Sequence, residues 1–169
     1  MRLIFILFSF LIGIHASSNA QEKTHIELKQ NIHTLLDNWH TAAAEANFEN
    51  YFNAMDSKAV FVGTDASEVW SKDEFRKFSE PFFKKGKTWS FTSLKRNIYI
   101  HSSKKIAWFD EVLDTWMGVC RGSGVVEKVN EEWKIKHYVL STTVPNEDIA
   151  PVIKIKQKRD SLFIHALKN

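Results

Sequence analysis

The sequence predicts an α+β protein in which helices come first and a long, curved antiparallel sheet follows. Across residues 22–46, apolar residues recur at three- and four-residue spacing, which is typical of an amphipathic helix. From residue 87 onward the pattern changes to four extended runs with short separators, which favours antiparallel hairpins. These runs have about 12 residues, more than the usual strand. We therefore expect the sheet to curve around the long N-terminal helix as a cone with one open end.

The first 20 residues have the pattern of a signal peptide. Arg2 precedes an apolar run over residues 3–14, and Ala20 ends a stretch of small residues that suits signal-peptidase cleavage. The apolar run is shorter than the roughly 20 residues of a membrane-spanning helix. We therefore expect a periplasmic or secreted protein, with residues 21–169 as a single domain that has no membrane attachment after cleavage.

Composition narrows the classes of function. With 23 Lys and Arg against 20 Asp and Glu, the net charge is too small to favour electrostatic binding of nucleic acid. Cys120 is the only cysteine, so no intrachain disulfide is possible and stability must come from packing. There is no HExxH motif, cysteine pair or close His/Asp cluster, so the sequence predicts neither a metal site nor a cofactor.

The part of the chain before residue 87 is predicted to be mainly helical. After the first helix, which places His40 at the flank of its apolar stripe, we expect a short helix near residues 48–55 and a strand at residues 59–62. Ser71 and Glu74 have the spacing of a capping box that opens another helix, which Pro81 should kink or interrupt. Asp65 and Glu68 are turn and strand-end residues that could rim the mouth of the cone.

The extended runs cover residues of about 88–101, 104–115, 117–129 and 132–144. Glycines 118, 122 and 124 could provide bends or bulges. In the last run Lys134 and Lys136 should be exposed to solvent, so strict alternation places Tyr138 on the outer face with them. The same alternation predicts an inner face made of Trp133, Ile135, His137, Val139 and Ser141.

Two neighbouring acids lie in the second extended run. Asp110 shares one face with Trp108, and Glu111 shares the other face with Phe109. Because both faces carry apolar neighbours, alternation does not say which acid points inward. Arg121, at the start of the next run, could pair with whichever acid lies inside and keep it ionised.

Several segments in order along the chain give a resemblance to a known family. The sequence resembles the SnoaL-like branch of the nuclear transport factor 2-like superfamily over residues of about 28–147. The resemblance implies a cone-shaped fold with an enclosed pocket and often a homodimer formed through the outer face of the sheet. Members include ketosteroid isomerase, polyketide cyclases, dehydratases and non-catalytic binding domains, so the fold alone does not give the function. The segments that carry it are Leu36–His40, Val60–Asp65, Ala107–Glu111, Arg121–Val125, Trp133–Tyr138 and Val144–Glu147.

The sequence is most consistent with binding of a small apolar or amphipathic molecule in an internal aromatic pocket. One alternative is a cofactor-independent isomerase, cyclase or dehydratase that uses acid–base residues in the same pocket. Another is a non-catalytic module whose outer sheet face binds a partner. The candidate acid–base residues are Asp110, Glu111 and His137, and the candidate ligand-binding residues are His40, Trp70, Trp89, Trp108, Arg121, Trp133 and Ser141.

Overall fold

The computed structural model describes the backbone of residues 2–169 and the side chains of residue 22 and residues 24–169. The proposed signal peptide and its cleavage site lie outside the residues whose side chains are described. In the part of the chain that the structure describes, no helix combines the length and apolar character needed to cross a membrane.

The helices follow the predicted order. The capping box is present at the start of the third helix, where the Ser71 side chain accepts from the Glu74 backbone and the Glu74 carboxylate accepts from the Ser71 backbone. Pro81 does not interrupt this helix, which continues through Lys84. The helices are α1 (Arg2–Ala44), α2 (Phe48–Asn53), α3 (Lys72–Lys84) and α4 (Ile149–Lys168), and a 3-10 turn (Asn146–Asp148) precedes α4.

Six strands form one curved, unclosed sheet in the order β2-β1-β6-β5-β4-β3. Strands β3 to β6 form the predicted antiparallel meander, and β1 joins it by parallel pairing with β6. The strands are β1 (Met55–Val62), β2 (Val69–Ser71), β3 (Thr92–Ile100), β4 (Ile106–Thr115), β5 (Gly118–Val129) and β6 (Glu132–Thr142).

The core lies between the inner face of the sheet and helix α1. Ile32, Leu36 and Trp39 of α1 are buried, and they belong to the same core as Phe109 of β4 and Ile135 of β6. Burial of these apolar side chains is the main favourable term in folding. The outer face of β3 and β4 carries exposed aromatic side chains instead, so the two faces of the sheet have different environments.

A β-bulge in β6 makes the predicted inner face wrong beyond Ile135. Trp133 and Ile135 are buried as predicted, whereas His137, Val139 and Ser141 are not. Val125 of β5 pairs with His137 while Val126 pairs with Ile135, so Lys136 is an extra residue in β6. The bulge shifts the alternation by one position. Tyr138 is therefore buried on the inner face, and His137 lies on the outer face.

Candidate functional site

Glu111 is a fully buried carboxylate at the centre of a polar cluster inside the cone. His40 of α1 lies with its Nε2 atom 2.9 Å from Glu111 Oε1, and the Tyr138 hydroxyl donates to the same oxygen at 3.0 Å. Arg96 of β3 donates from Nε to Glu111 Oε2 at 2.9 Å. We call these four residues the Glu111 cluster. Both carboxylate oxygens are thus occupied by donors from the protein itself.

Arg96 links the cluster to helix α1. Its Nη2 atom lies 2.8 Å from Glu111 Oε2, an ion-pair contact without hydrogen-bond geometry. Its Nη1 atom donates to Asp37 Oδ1 at 2.7 Å and to the His33 carbonyl at 3.3 Å. The guanidinium therefore ties the sheet to the helix that crosses it.

The electrostatics keep Glu111 ionised and Tyr138 neutral. Burial alone would raise the pKa of Glu111, but the hydrogen bond and electrostatic interaction with His40 and the guanidinium charge of Arg96 hold that pKa below its ordinary value. Burial and the adjacent Glu111 carboxylate raise the pKa of Tyr138 well above its usual value. An ionised carboxylate only accepts hydrogen bonds, so Nε2 of His40 carries the proton in their contact.

A separate aromatic pocket opens at the mouth of the cone. It has a volume of about 160 Å³. Its walls come from the end of β1, the β1–β2 loop, β2, α3, the segment before β3, the β4–β5 turn and β6. We call it the aromatic pocket, and its lining residues are Phe61, Gly63, Thr64, Glu68, Trp70, Phe75, Phe78, Trp89, Phe91, Trp116, Met117 and Leu140.

The Glu111 cluster lies behind the inner wall of the aromatic pocket. Phe61 lines the pocket and stacks on Tyr138 with ring centroids 5.7 Å apart. Phe91 also lines it and has an edge contact with His40 at 6.3 Å. Residues of the cluster are not part of the lining, so the pocket and the cluster are adjacent but distinct.

Glu68 is the one ionisable side chain among the described residues that line the pocket. One of its oxygens, Oε2, accepts a hydrogen bond from the Asp65 backbone at 3.1 Å. A side chain at Gly63 would overlap this carboxylate, so the glycine leaves the space in which Glu68 lies. The loop between β1 and β2 therefore holds Glu68 against the pocket.

The structure brings only some of the predicted site residues together. Glu111 and His40 point inward and touch each other, and Trp70 and Trp89 line the aromatic pocket. Trp133 is buried on the inner face, but it is not one of the residues lining the pocket. Its ring lies beneath Lys128 at 5.7 Å, at the other end of β6.

The remaining predicted residues lie on the outer face. The prediction that Trp108, Arg121, His137 and Ser141 line the pocket is therefore wrong, and of the two acids left open by the alternation Asp110 is the outer one. Asp110 pairs there with Arg121 at 3.4 Å, and Trp108 stacks on Tyr99. Glu111 and Asp110 are neighbours in one strand, so once Glu111 faces inward Asp110 and Trp108 must face outward. His137 is placed outward by the bulge. Ser141 has the same outward orientation as His137 and lies in a groove beside α4.

Sequence reasoning missed Arg96 and the role of Tyr138. Arg96 follows Lys95 in a strand with a basic, exposed character, and only its contacts with α1 show that its side chain is buried. Strict alternation predicts Tyr138 on the lysine face, because the bulge has no local signature in the sequence. Trp116 was also missed, although its place between two predicted extended runs was a signal for a turn position.

Comparison with known proteins supports the fold. The SnoaL-like domain family matches residues 32–145. A search of curated proteins gave no match.

Solved structures of similar fold share little sequence with this chain. A candidate scytalone dehydratase from Novosphingobium aromaticivorans DSM 12444 has a TM-score of 0.60 and 14% identity, covering 72% of this chain and 88% of that one. A candidate aromatic ring hydroxylase from Novosphingobium aromaticivorans has a TM-score of 0.60 and 14% identity, covering 71% and 92%. A nuclear transport factor 2-like protein of unknown function from Pseudomonas putida KT2440 has a TM-score of 0.58 and 12% identity, covering 70% and 88%.

At these identities the structural likeness shows the fold alone, whereas the family match spans the whole meander, α2, α3 and the C-terminal part of α1. The curved sheet around α1, with a pocket at its open end, is the architecture that this family implies. The chain belongs to the SnoaL-like domain family.

Proposed function

We propose that this protein binds a small ring-bearing molecule in its aromatic pocket. The observation that carries the proposal is the lining of this pocket. Nine of its twelve lining residues have aromatic or large aliphatic side chains, and they surround a volume of about 160 Å³. Small-molecule sites are typically concave and apolar with few polar groups. An apolar cavity of roughly 150 Å³ is large enough for benzene. A single aromatic ring therefore matches the size of this pocket.

The same geometry weighs against Glu111 as a general base. A base needs a free lone pair within reach of the substrate proton. Both oxygens of Glu111 already accept from His40, Tyr138 and Arg96, and its pKa is lowered. We therefore assign the Glu111 cluster to support of the pocket wall rather than to acid–base chemistry.

Binding of fluorobenzene, followed by ¹⁹F NMR titration, tests the proposal. We expect a saturable shift or broadening of the fluorine signal with the wild-type protein. Trp116→Ala should weaken the affinity about fivefold, since it removes one aromatic wall. Trp116 is 80% exposed, so this substitution should leave folding unchanged.

Trp108→Ala is the matched control, because Trp108 is an exposed tryptophan on the outer face. Its affinity for fluorobenzene should stay within twofold of the wild type. Failure of fluorobenzene to saturate the wild-type protein, or an equal loss with both variants, would refute binding in the aromatic pocket.

We also propose that the chain is exported and that its mature form begins at Gln21. The apolar run over residues 3–14 and the small residues up to Ala20 support this proposal. The intact mass of the protein purified from its own host should correspond to residues 21–169. A mass that includes residues 1–20 would contradict cleavage at this site.

A further inference from the structure

The mouth of the aromatic pocket combines a carboxylate with an unusually exposed tryptophan. Trp116 lies in the turn between β4 and β5, lines the pocket, and is 80% exposed. No other aromatic ring among the described residues stacks on its indole, whereas Trp70 stacks on both Phe75 and Phe78. A large indole held in water at a pocket mouth is a surface that a ligand could cover.

Glu68 gives this mouth a negative charge that the protein leaves unpaired. Its carboxylate accepts from the Asp65 backbone, and no Lys, Arg or His side chain among the described residues lies within ion-pair distance of it. In contrast, the buried Glu111 is paired with both His40 and Arg96. The single charge of the pocket lining is thus available to a cationic ligand.

The β1–β2 loop fixes the Glu68 carboxylate at this position. Gly63 donates from its backbone to the Glu68 carbonyl at 2.9 Å, and Glu68 donates to the Asp65 carbonyl at 2.9 Å. Ser67 donates from its backbone to Asp65 Oδ1 at 2.9 Å, which orders the rest of the loop. These bonds order the loop backbone, and the bond from the Asp65 N–H to Oε2 holds the carboxylate beside the aromatic walls.

From this arrangement we infer that the aromatic pocket selects organic cations, with a methylated ammonium head between Glu68, Trp70 and Trp116 and an apolar part directed toward Phe61 and Leu140. This inference rests on the proposed function and names its ligand class. Aromatic side chains, tryptophan best of all, attract ammonium groups through the negative face of the ring. A carboxylate at the rim adds an electrostatic attraction for a cationic ligand that a neutral ligand lacks.

A matched pair of probes separates charge from shape. Choline and 3,3-dimethylbutan-1-ol have the same outline, but the second has a quaternary carbon in place of the ammonium nitrogen. Both carry nine equivalent methyl protons, so saturation-transfer NMR titration can follow either one. With the full-length mature protein we expect choline to bind about tenfold more tightly than the neutral alcohol.

Variants of the mouth residues test where the preference arises. Glu68→Gln keeps an oxygen for the Asp65 backbone but removes the charge, so it should reduce the preference for choline to about twofold or less. Trp116→Ala should weaken choline binding about fivefold. Glu131→Gln removes an exposed charge from the β5–β6 turn and should leave both affinities unchanged.

Equal affinity for the two probes, or a preference that survives Glu68→Gln, would overturn the inference. Saturable binding of fluorobenzene together with no preference for choline would overturn the cation selectivity alone and leave the proposed function standing. If neither fluorobenzene nor choline binds, both the proposed function and this inference are wrong.

Discussion

Asp110 and Glu111 are adjacent carboxylates in β4 with opposite environments. Glu111 is 0% exposed and has donors on both oxygens, whereas Asp110 forms a long contact with the half-exposed Arg121 on the outer face. Breaking a buried ion pair leaves the partner charge uncompensated, which costs far more than losing a surface pair. The two residues therefore make a matched pair for substitution.

Glu111→Gln should lower the free energy of unfolding by about 3 kcal/mol, because the buried Arg96 would lose its buried anion and keep only the solvent-exposed Asp37 carboxylate. Asp110→Asn should change it by less than about 1 kcal/mol. Urea denaturation of both variants at neutral pH measures the difference. Similar small effects for the two variants would contradict the central position of Glu111 in the cluster.

Affinity for fluorobenzene separates a supporting role of Glu111 from a direct one. Folded Glu111→Gln protein should bind fluorobenzene within about threefold of the wild type, because Glu111 does not line the pocket. A loss of binding without a loss of stability would instead place Glu111 in contact with the ligand.

The lowered pKa of Glu111 also predicts how stability depends on pH. The unfolded chain takes up the proton near the ordinary glutamate pKa of about 4.3, and the folded protein takes it up only at a lower pH. The stabilising contribution is therefore complete above that value and is lost as the pH falls through the folded pKa. The stability gap between wild type and Glu111→Gln should narrow between pH 6 and pH 3, as measured by urea denaturation. A constant gap would contradict this linkage.

Strands β5 and β6 show how glycine makes room for the Glu111 cluster. A side chain at Gly122 would overlap the Tyr138 hydroxyl and approach Glu111 Cγ to 2.9 Å. From the sequence, the β5 glycines could provide bends or bulges. At Gly122, however, the absence of a side chain allows close packing of Tyr138 and Glu111, a hydrogen-bonded pair from the two neighbouring strands.

Gly122→Ala should therefore destabilise the protein by about 1–3 kcal/mol through overpacking. Tyr138→Phe removes the hydroxyl that the new methyl group would meet. In a double-mutant cycle the second substitution should recover part of the loss caused by the first. Strict additivity of the two free-energy changes would show that Gly122 and Tyr138 do not interact.

Much of the element order could be read from the sequence, because amphipathic spacing and the Ser71 capping box are local signals. The faces of β6 could be read only as far as Ile135. Beyond it lies Lys136, the extra residue of the bulge. Lys136 forms ion pairs with Asp56 of β1 at 2.9 Å and Glu127 of β5 at 3.3 Å, and both partners are distant in the sequence. Residues brought together by such long-range contacts, including Arg96, have no local pattern to reveal them.

At the scale of the whole molecule, the two faces of the sheet have different uses. The inner face closes the core and supports the pocket. The outer face exposes Tyr99, Trp108 and Val119, with Trp108 48% exposed. Exposed apolar patches of this kind often mark protein contacts. We propose that a second copy of the chain packs on this face, as the family resemblance implies.

Sedimentation velocity tests the proposed homodimer. The wild-type protein should sediment as a dimer, and Trp108→Arg should shift it toward monomer because a charge would be buried at the interface. Trp116→Arg, at the pocket mouth, should leave the dimer intact. A wild-type monomer at all concentrations would contradict this assignment of the outer face.

A ligand site at the aromatic mouth of the cone, and not on the outer sheet face, can be tested with the tryptophan side chains. The six tryptophans of the chain report on both regions through their indole N–H signals. These can be assigned by single Trp→Phe substitutions in ¹H–¹⁵N spectra. On addition of fluorobenzene, we expect shifts for Trp70, Trp89 and Trp116 and an unchanged signal for Trp108. Shifts confined to Trp108, with the three pocket signals unmoved, would contradict this expectation.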